Sequence, residues 1–450
     1  MRFTDSPSMS PQAETEARLP VPHSPTMPPL MPPGTRASGG DGDHLYVSNH
    51  PRALGVLNSL GRAVGITRRR RFRIDAERLM HGAERSTGLS DWGSDDFLPP
   101  LARLVEALNE EAALTPVGRA VCTRSLQSAL ETRLLVQQEL NRHPGILDQQ
   151  IRRPLFIIGL PRTGSTLLQR LLCQDPAVHH LKAFETMFPT PSRAGSSTDD
   201  RIRRAERRLR LYNWMVPDLA SVHAIEATEP EECTLLLQNT FLNVSFGGMA
   251  HIPSYVGWVL QQDMASAYRY YETQLKLLQW RRPGDHWVLK SPIHLFALRP
   301  LMEIFPDANV IQTHREPARV LPSYCSLAQM RRSLASDNVD PRLLGRNTLE
   351  VFAGAAAKAI ETRREIGDER FFDVAYRDLL GDPFPVIRRI YERFSYELTP
   401  EAESAMRRWY AAHPQHKHGV HRYTPEQFGL TPERINERLS PVIERFREYM

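Results

Sequence analysis

The residues best suited to chemistry lie in one stretch, Pro154 to Leu172, PLFIIGLPRTGSTLLQRLL, where a run fit for a buried strand meets one fit for a helix. The strand pattern ends at Gly159 and the helical pattern begins near Ser165 or Thr166, so LPRTGST must form the turn between them. A turn placed there aims the free N–H groups of a helix N-terminus at one point, and the helix dipole adds partial positive charge. Gly164 allows close backbone approach and Ser165 and Thr166 offer hydroxyl donors. Arg162 brings a permanent planar cation suited to phosphate or sulfate oxygens. A plain strand-to-helix connection would use the glycine and the hydroxyls, but it has no need of Arg162.

Gly159 to Gly164 also has the G-x-x-x-x-G spacing of an NTPase loop. That loop requires Lys and then Ser or Thr after its second glycine; here Ser165 and Thr166 follow directly, and the cation stands upstream at Arg162. No strand ends in an aspartate placed to hold magnesium, since the best candidate ends Gln312, Thr313, His314, Arg315. These features argue against a metal-dependent phosphoryl transferase. A second constellation follows the strand at 308–314, in HREPARVLPSYCSL. Ser323 lies eight residues after Arg315, on a helix begun after Pro317. Eight residues is slightly over two turns, so arginine and serine can converge on one phosphate. The plain alternative pairs Arg315 with Glu316 and leaves Ser323 an ordinary helix residue.

The two elements, in this order and about 150 residues apart, resemble the sulfotransferases that use 3′-phosphoadenosine 5′-phosphosulfate (PAPS), the bacterial branch in particular. The resemblance covers roughly residues 74 to 440. It implies that Arg162, Thr163, Gly164, Ser165 and Thr166 bind the 5′-phosphosulfate and that Arg315 and Ser323 bind the 3′-phosphate. Many animal members carry lysine where this chain has Arg162. Two weaker motifs follow the same resemblance. Tyr376, in AYRDLLGDP, is similar to a tyrosine near the adenine, and HKHGVHRY at 416–423 to a loop closing over the nucleotide, which implies Lys417, His418, Gly419, Arg422 and Tyr423. A buried ring with a satisfied hydroxyl is the alternative for Tyr376. A His-rich metal tract is the alternative for the loop, which lacks acidic or Cys partners.

Sulfuryl transfer to an alcohol needs a base near the attacking oxygen and cations on the leaving phosphate. The resemblance implies that PAPS is the co-substrate and that no metal is needed. Lys290, ending the strand run 286–290 in LKSPIHLF, resembles the family lysine that reaches the transferring group. Three residues compete as the base. Glu185, in LKAFETMFP, comes first because some sulfotransferases carry a catalytic glutamate in a comparable place. His294 could be turned toward the cleft by a helix starting at Pro292, and His223, in SVHAIEATEPEEC, belongs to a segment expected to face the acceptor. The acceptor is a small-molecule, lipid or carbohydrate hydroxyl. Two other readings stand beside this one: a nucleotide kinase on the same fold, and a non-catalytic scaffold that keeps the pocket to bind nucleotide.

The elements that must position these residues follow from the wider pattern. LFIIG at 155–159, HWVLK at 286–290, ANVIQTH at 308–314 and FFDVAY at 371–376 read as buried strands separated by helical runs. The fold class expected is α/β, a P-loop-like parallel sheet flanked by helices, occupying residues 151–450. A helical insertion at about 190–280 is expected to form an acceptor-side lid with Trp214, Phe241, Phe246, Tyr255, Trp258 and Tyr268. Residues 45–150 read as a helical region, with three or four helices from Asp75 to about Pro144. Residues 1–44, rich in Pro and Gly and poor in large apolar side chains, are expected to be disordered. Residues 53–66 are weakly amphipathic and run into Arg68, Arg69, Arg70 and Arg71. A surface helix with a solvated basic end is the simpler reading, with peripheral contact to an anionic membrane as the alternative.

A net charge of +5 in 450 residues suits an anionic ligand and gives no sign of nucleic-acid binding. The four cysteines are far apart and form no C-x-x-C pair, which suggests idle thiols in a reducing compartment. With no apolar run of membrane-spanning length and no signal-peptide pattern, the cytoplasm is the expected location. The sequence sets no oligomeric state.

Overall fold

The computed structural model describes residues 49–66, 72–191, 199–219, 224–280, 282, 284–413 and 423–450. The Pro-rich 1–44, the run Arg68 to Arg71, His223, Lys417, His418, Gly419 and Arg422 lie outside the described residues. Five strands form one parallel sheet: β1 (Leu155–Gly159), β2 (Val178–His180), β3 (His286–Lys290), β4 (Asn309–His314) and β5 (Phe371–Ala375), in the order β2-β3-β1-β4-β5. Four of these match the apolar runs in the sequence. β2 does not, because Val178, His179 and His180 make no apolar run and become a strand only by pairing with β3 at the sheet edge.

Alternate side chains of the central strands feed two cores, as a strand covered on both faces requires. Phe156, Ile158, Leu289 and Val310 pack on one face with helices Ala265–Gln279, Leu298–Ile304, Pro317–Ala335 and Pro341–Ile366. Leu155, Ile157, Val288 and Ile311 pack on the other with helices Ser165–Leu172, Phe384–Phe394 and Pro400–Ala412. Helices Ala76–Thr87, Leu98–Glu110 and Pro116–Arg142 bear out the helical lead-in. Asp75 and Thr115 cap two of them, accepting from Arg78 N–H and Gly118 N–H at 2.9 Å each.

This helical region shares a core with residues of the insertion, including Phe241, Phe246, Tyr255 and Val259. The expected aromatic lid is corrected accordingly. Phe241, Phe246, Tyr255 and Tyr268 are buried between helices and cannot line an acceptor surface, whereas Trp214 is exposed. All four cysteines are buried as free thiols. No helix of the described residues is long and apolar enough to cross a membrane.

β1 and β4 lie side by side, with Gly159 opposite Thr313. The chain leaves β1 toward β2 on one side of the sheet and leaves β4 toward β5 on the other. Diverging connections of this kind open a crevice beyond the carboxyl ends of the strands, where ligands gather in open α/β sheets.

Candidate active site

The turn after β1 has the backbone that its sequence suggests. Gly159 sits at φ 136°, and a Cβ there would come within 2.5 Å of the Thr313 carbonyl oxygen, so only glycine lets β1 end against β4. Gly164 sits at φ 86° directly before helix Ser165–Leu172, and its missing side chain leaves room for Tyr376 and Leu379. Arg162 also takes a left-handed conformation, φ 68°, at a cost of about 1 kcal/mol. Backbone strain of this kind persists only where the surrounding structure holds it, and here it falls in the turn itself. Thr163 faces the other way. Its hydroxyl donates to the Leu160 carbonyl at 2.8 Å and meets the Thr313 hydroxyl at 2.6 Å, so this side chain ties β1 to β4 and only its backbone faces the crevice.

The structure brings the second constellation to the same place. Arg315 donates to the Arg162 carbonyl at 3.1 Å, and Arg162 Nε donates to Ser323 Oγ at 3.2 Å. The Arg315 guanidinium lies over the Tyr376 ring, 4.1 Å from its centre. Desolvation lowers the Arg162 pKa from its ordinary value; the Tyr423 phenol opposes the shift and Arg315 adds to it. Tyr423 therefore lies near the turn, at the end of the C-terminal loop. The two guanidiniums thus lie close together beside the turn, Arg162 exposed and Arg315 partly so.

Lys290, at the end of β3, is buried and reaches the same turn. Its ammonium donates to Thr166 Oγ1 at 3.1 Å and pairs closely with Glu232. Thr234 donates to the other Glu232 oxygen at 3.2 Å and exchanges a hydrogen bond with Ser291 at 3.0 Å. Glu232 was not singled out from the sequence. It stands 58 residues before Lys290, and the acidic run EPEE was its only signal.

The three expected bases fare differently. Glu185 is buried with both oxygens engaged: one accepts from the Lys182 N–H at 3.0 Å, closing a capping box, and the other pairs with Arg282. It anchors a helix, whereas Glu232 holds Lys290. The expectation for His294 is corrected outright. A 3-10 turn over Pro292–Ala297 points it into the core, where it bonds the Tyr268 hydroxyl at 2.8 Å and packs edge-on against Phe156. Burial drives its pKa down to about 3, so it is neutral and far from solvent. His223 lies outside the described residues.

Behind Arg315, a buried ionic cluster fixes β4 to β5. Asp373 accepts two bonds from Arg363, at 2.8 and 2.6 Å, and one from His314 Nε2 at 2.6 Å. Despite the opposing effect of burial, hydrogen bonds from Arg363 and His314 pull the Asp373 pKa down to about 2.

The parallel sheet thus carries a turn after β1 that meets Arg315 and Ser323 through Arg162, and the family model for the sulfotransferase family matches residues 154–400. The chain belongs to that family. The sulfotransferase STF1 of Mycobacterium tuberculosis superposes with a TM-score of 0.74 at 33% identity, covering 82% of this chain and 99% of that one. STF9 of Mycobacterium avium superposes with a TM-score of 0.75 at 31% identity, covering 82% and 96%. The omega-hydroxy-beta-dihydromenaquinone-9 sulfotransferase Stf3 of Mycobacterium tuberculosis is 25% identical over 317 residues, covering 65% of this chain and 74% of its own length.

Proposed function

We propose that the chain transfers the sulfuryl group of PAPS to the hydroxyl of a lipophilic acceptor. The observation that carries this reading is the convergence of the β1 turn with Arg315 and Ser323, joined through Arg162 at 3.2 and 3.1 Å. One end of the site would hold the 5′-phosphosulfate on the turn N–H groups, Thr166 and Lys290. The other would hold the 3′-phosphate on Arg315 and Ser323, with the adenine near Tyr376. The loop bearing Lys417, His418, Gly419 and Arg422 is assigned to closing over the nucleotide. Gly164 keeps Tyr376 in that position, because a side chain there would displace the ring.

In the reaction the acceptor oxygen attacks sulfur and the bond from sulfur to the 5′-phosphate oxygen breaks. Lys290 and Arg162 stabilise the charge that collects on the leaving phosphate. Glu232 takes the acceptor proton, since it is the carboxylate paired with Lys290 and stays partly open to solvent. The products are a sulfate ester and 3′-phosphoadenosine 5′-phosphate. The lipophilic acceptor is supported by the relative named for omega-hydroxy-beta-dihydromenaquinone-9. We place the reaction in the cytoplasm, where four free buried thiols are in keeping.

Incubation of the purified full chain with radiolabelled PAPS and a long-chain isoprenoid alcohol tests this function. Labelled, organic-soluble ester formed without added metal is expected. Transfer of phosphate from ATP in magnesium, with no label moved from PAPS, would establish the kinase instead.

A further inference from the structure

Seven of the ten large apolar side chains exposed among the described residues lie on two helices: Val56, Leu57, Leu60 and Val64 on or just after Arg52–Ala63, and Ile202, Leu211 and Trp214 on Arg201–Met215. The first helix buries only Leu54 and Gly61. Its apolar residues at 56, 60 and 64 form an outward stripe, with Leu57 alongside, the reverse of what an amphipathic helix folded onto a core presents. On the second helix, Arg203, Arg207, Arg210 and Trp214 recur at helical spacing along the exposed face. That helix carries six arginines and one glutamate.

The two helices are joined. Leu54 packs with Val216 and Leu219, just past the second helix, and His50 Nδ1 bonds the Met215 carbonyl at 2.8 Å. Both rest on elements that lead to the site. The helix carrying Ser323 ends beneath this seam at Leu327, Met330 and Leu334, and the second helix packs on Ala183–Met187 beyond the carboxyl end of β2. Single exposed apolar residues are ordinary, but a concentrated apolar surface edged with arginines marks a partner.

We infer that this face docks on an anionic lipid bilayer, so that a lipophilic acceptor reaches Lys290 from the membrane surface. The docking rests on the lipophilic-acceptor reading above for its purpose, but not for its evidence. Apolar side chains with a tryptophan enter the headgroup boundary while arginines meet anionic lipid, each near-surface charge adding about 1 kcal/mol. A second copy of the chain is a poor occupant, because self-pairing would set like arginines against one another. Residues 1–44 have few large apolar side chains with which to cover the stripe.

Vesicle flotation of the full chain, without donor or acceptor, tests the docking separately from the transfer assay. Binding to phosphatidylcholine vesicles containing phosphatidylglycerol, released by salt and absent on pure phosphatidylcholine, is expected. The variants L57E/L60E and R203E/R207E/R210E should each lower partitioning at least ~10-fold, with affinity for 3′-phosphoadenosine 5′-phosphate and transfer to a short soluble alcohol unchanged. The inference is overturned by no preference for anionic vesicles, by undiminished binding of both variants, or by sedimentation as a dimer that L57E/L60E dissociates. Binding that appears only after residues 1–44 are removed would also overturn it, by making the tail the occupant.

Discussion

Arg162 Nε donates to Ser323 Oγ at 3.2 Å, joining the turn after β1 to the helix after β4 across 161 residues of sequence. The contact makes one site of two motifs. Arg315 completes it from the strand end, with its guanidinium on Tyr376 and its N–H on the Arg162 carbonyl.

Replacing Arg315 by Ala should weaken binding of 3′-phosphoadenosine 5′-phosphate by about tenfold to a hundredfold, the worth of a charge-assisted hydrogen bond. Ser323→Ala should cost less, about tenfold. Saturating donor should restore turnover in both. Titration calorimetry beside initial rates checks this, and a loss of turnover at saturation would show that these residues act on the reacting group.

Lys290→Ala should lower turnover by about a hundredfold to a thousandfold while leaving nucleotide affinity within about threefold. Equal losses in both would contradict its role in the transition state. Glu232→Gln keeps a partner for Lys290 yet removes the base, so it should depress turnover and abolish the acid limb of the pH–rate profile. Glu185→Gln loosens the contacts to Lys182 and Arg282 and should lower the melting temperature with the profile intact. If Glu185→Gln moves the profile and Glu232→Gln does not, the roles are reversed.

His294 predicts acid sensitivity with a definite sign. Burial holds it neutral in the fold down to about pH 3, whereas in the unfolded chain it takes up a proton near its ordinary 6.5. The unfolded state therefore binds more protons in that window, and stability falls as pH drops below 6.5, by about 1.4 kcal/mol per unit from this group. His179, His180 and His251, each lowered to about 4 chiefly by burial, add to the slope. Denaturant unfolding from pH 7 to 4.5 should show His294→Phe with a shallower slope than the parent, whatever its absolute stability. Parallel slopes would contradict the assignment.

Asp373→Ala should destabilise the fold by about 3–5 kcal/mol, because it leaves the Arg363 guanidinium buried without its bidentate partner. Thermal unfolding measures this. A loss under about 1 kcal/mol would mean that water or Asp368 takes over the bond.

What the sequence revealed was whatever depends on short spacing. The strand, turn and helix at 154–172 and the eight-residue interval from Arg315 to Ser323 are local patterns, and the parallel sheet then had to set them side by side. Contacts set by tertiary geometry stayed hidden. Glu232 meets Lys290 only because the segment after residue 224 folds over β3, and β2 is too short and too polar to be read without its neighbour. His294 misled because a 3-10 turn rotates it differently from the helix its proline suggested. The aromatic residues of the insertion misled because burial among helices and exposure to an acceptor leave the same composition.

The most direct measurement is calorimetric titration of the full chain with 3′-phosphoadenosine 5′-phosphate, ATP and NAD. Saturable one-to-one binding of the first, at least tenfold tighter than either competitor and weakened by Arg315→Ala, is expected. Equal affinity for ATP, or binding indifferent to Arg315→Ala, would contradict a site built to hold a ribose 3′-phosphate.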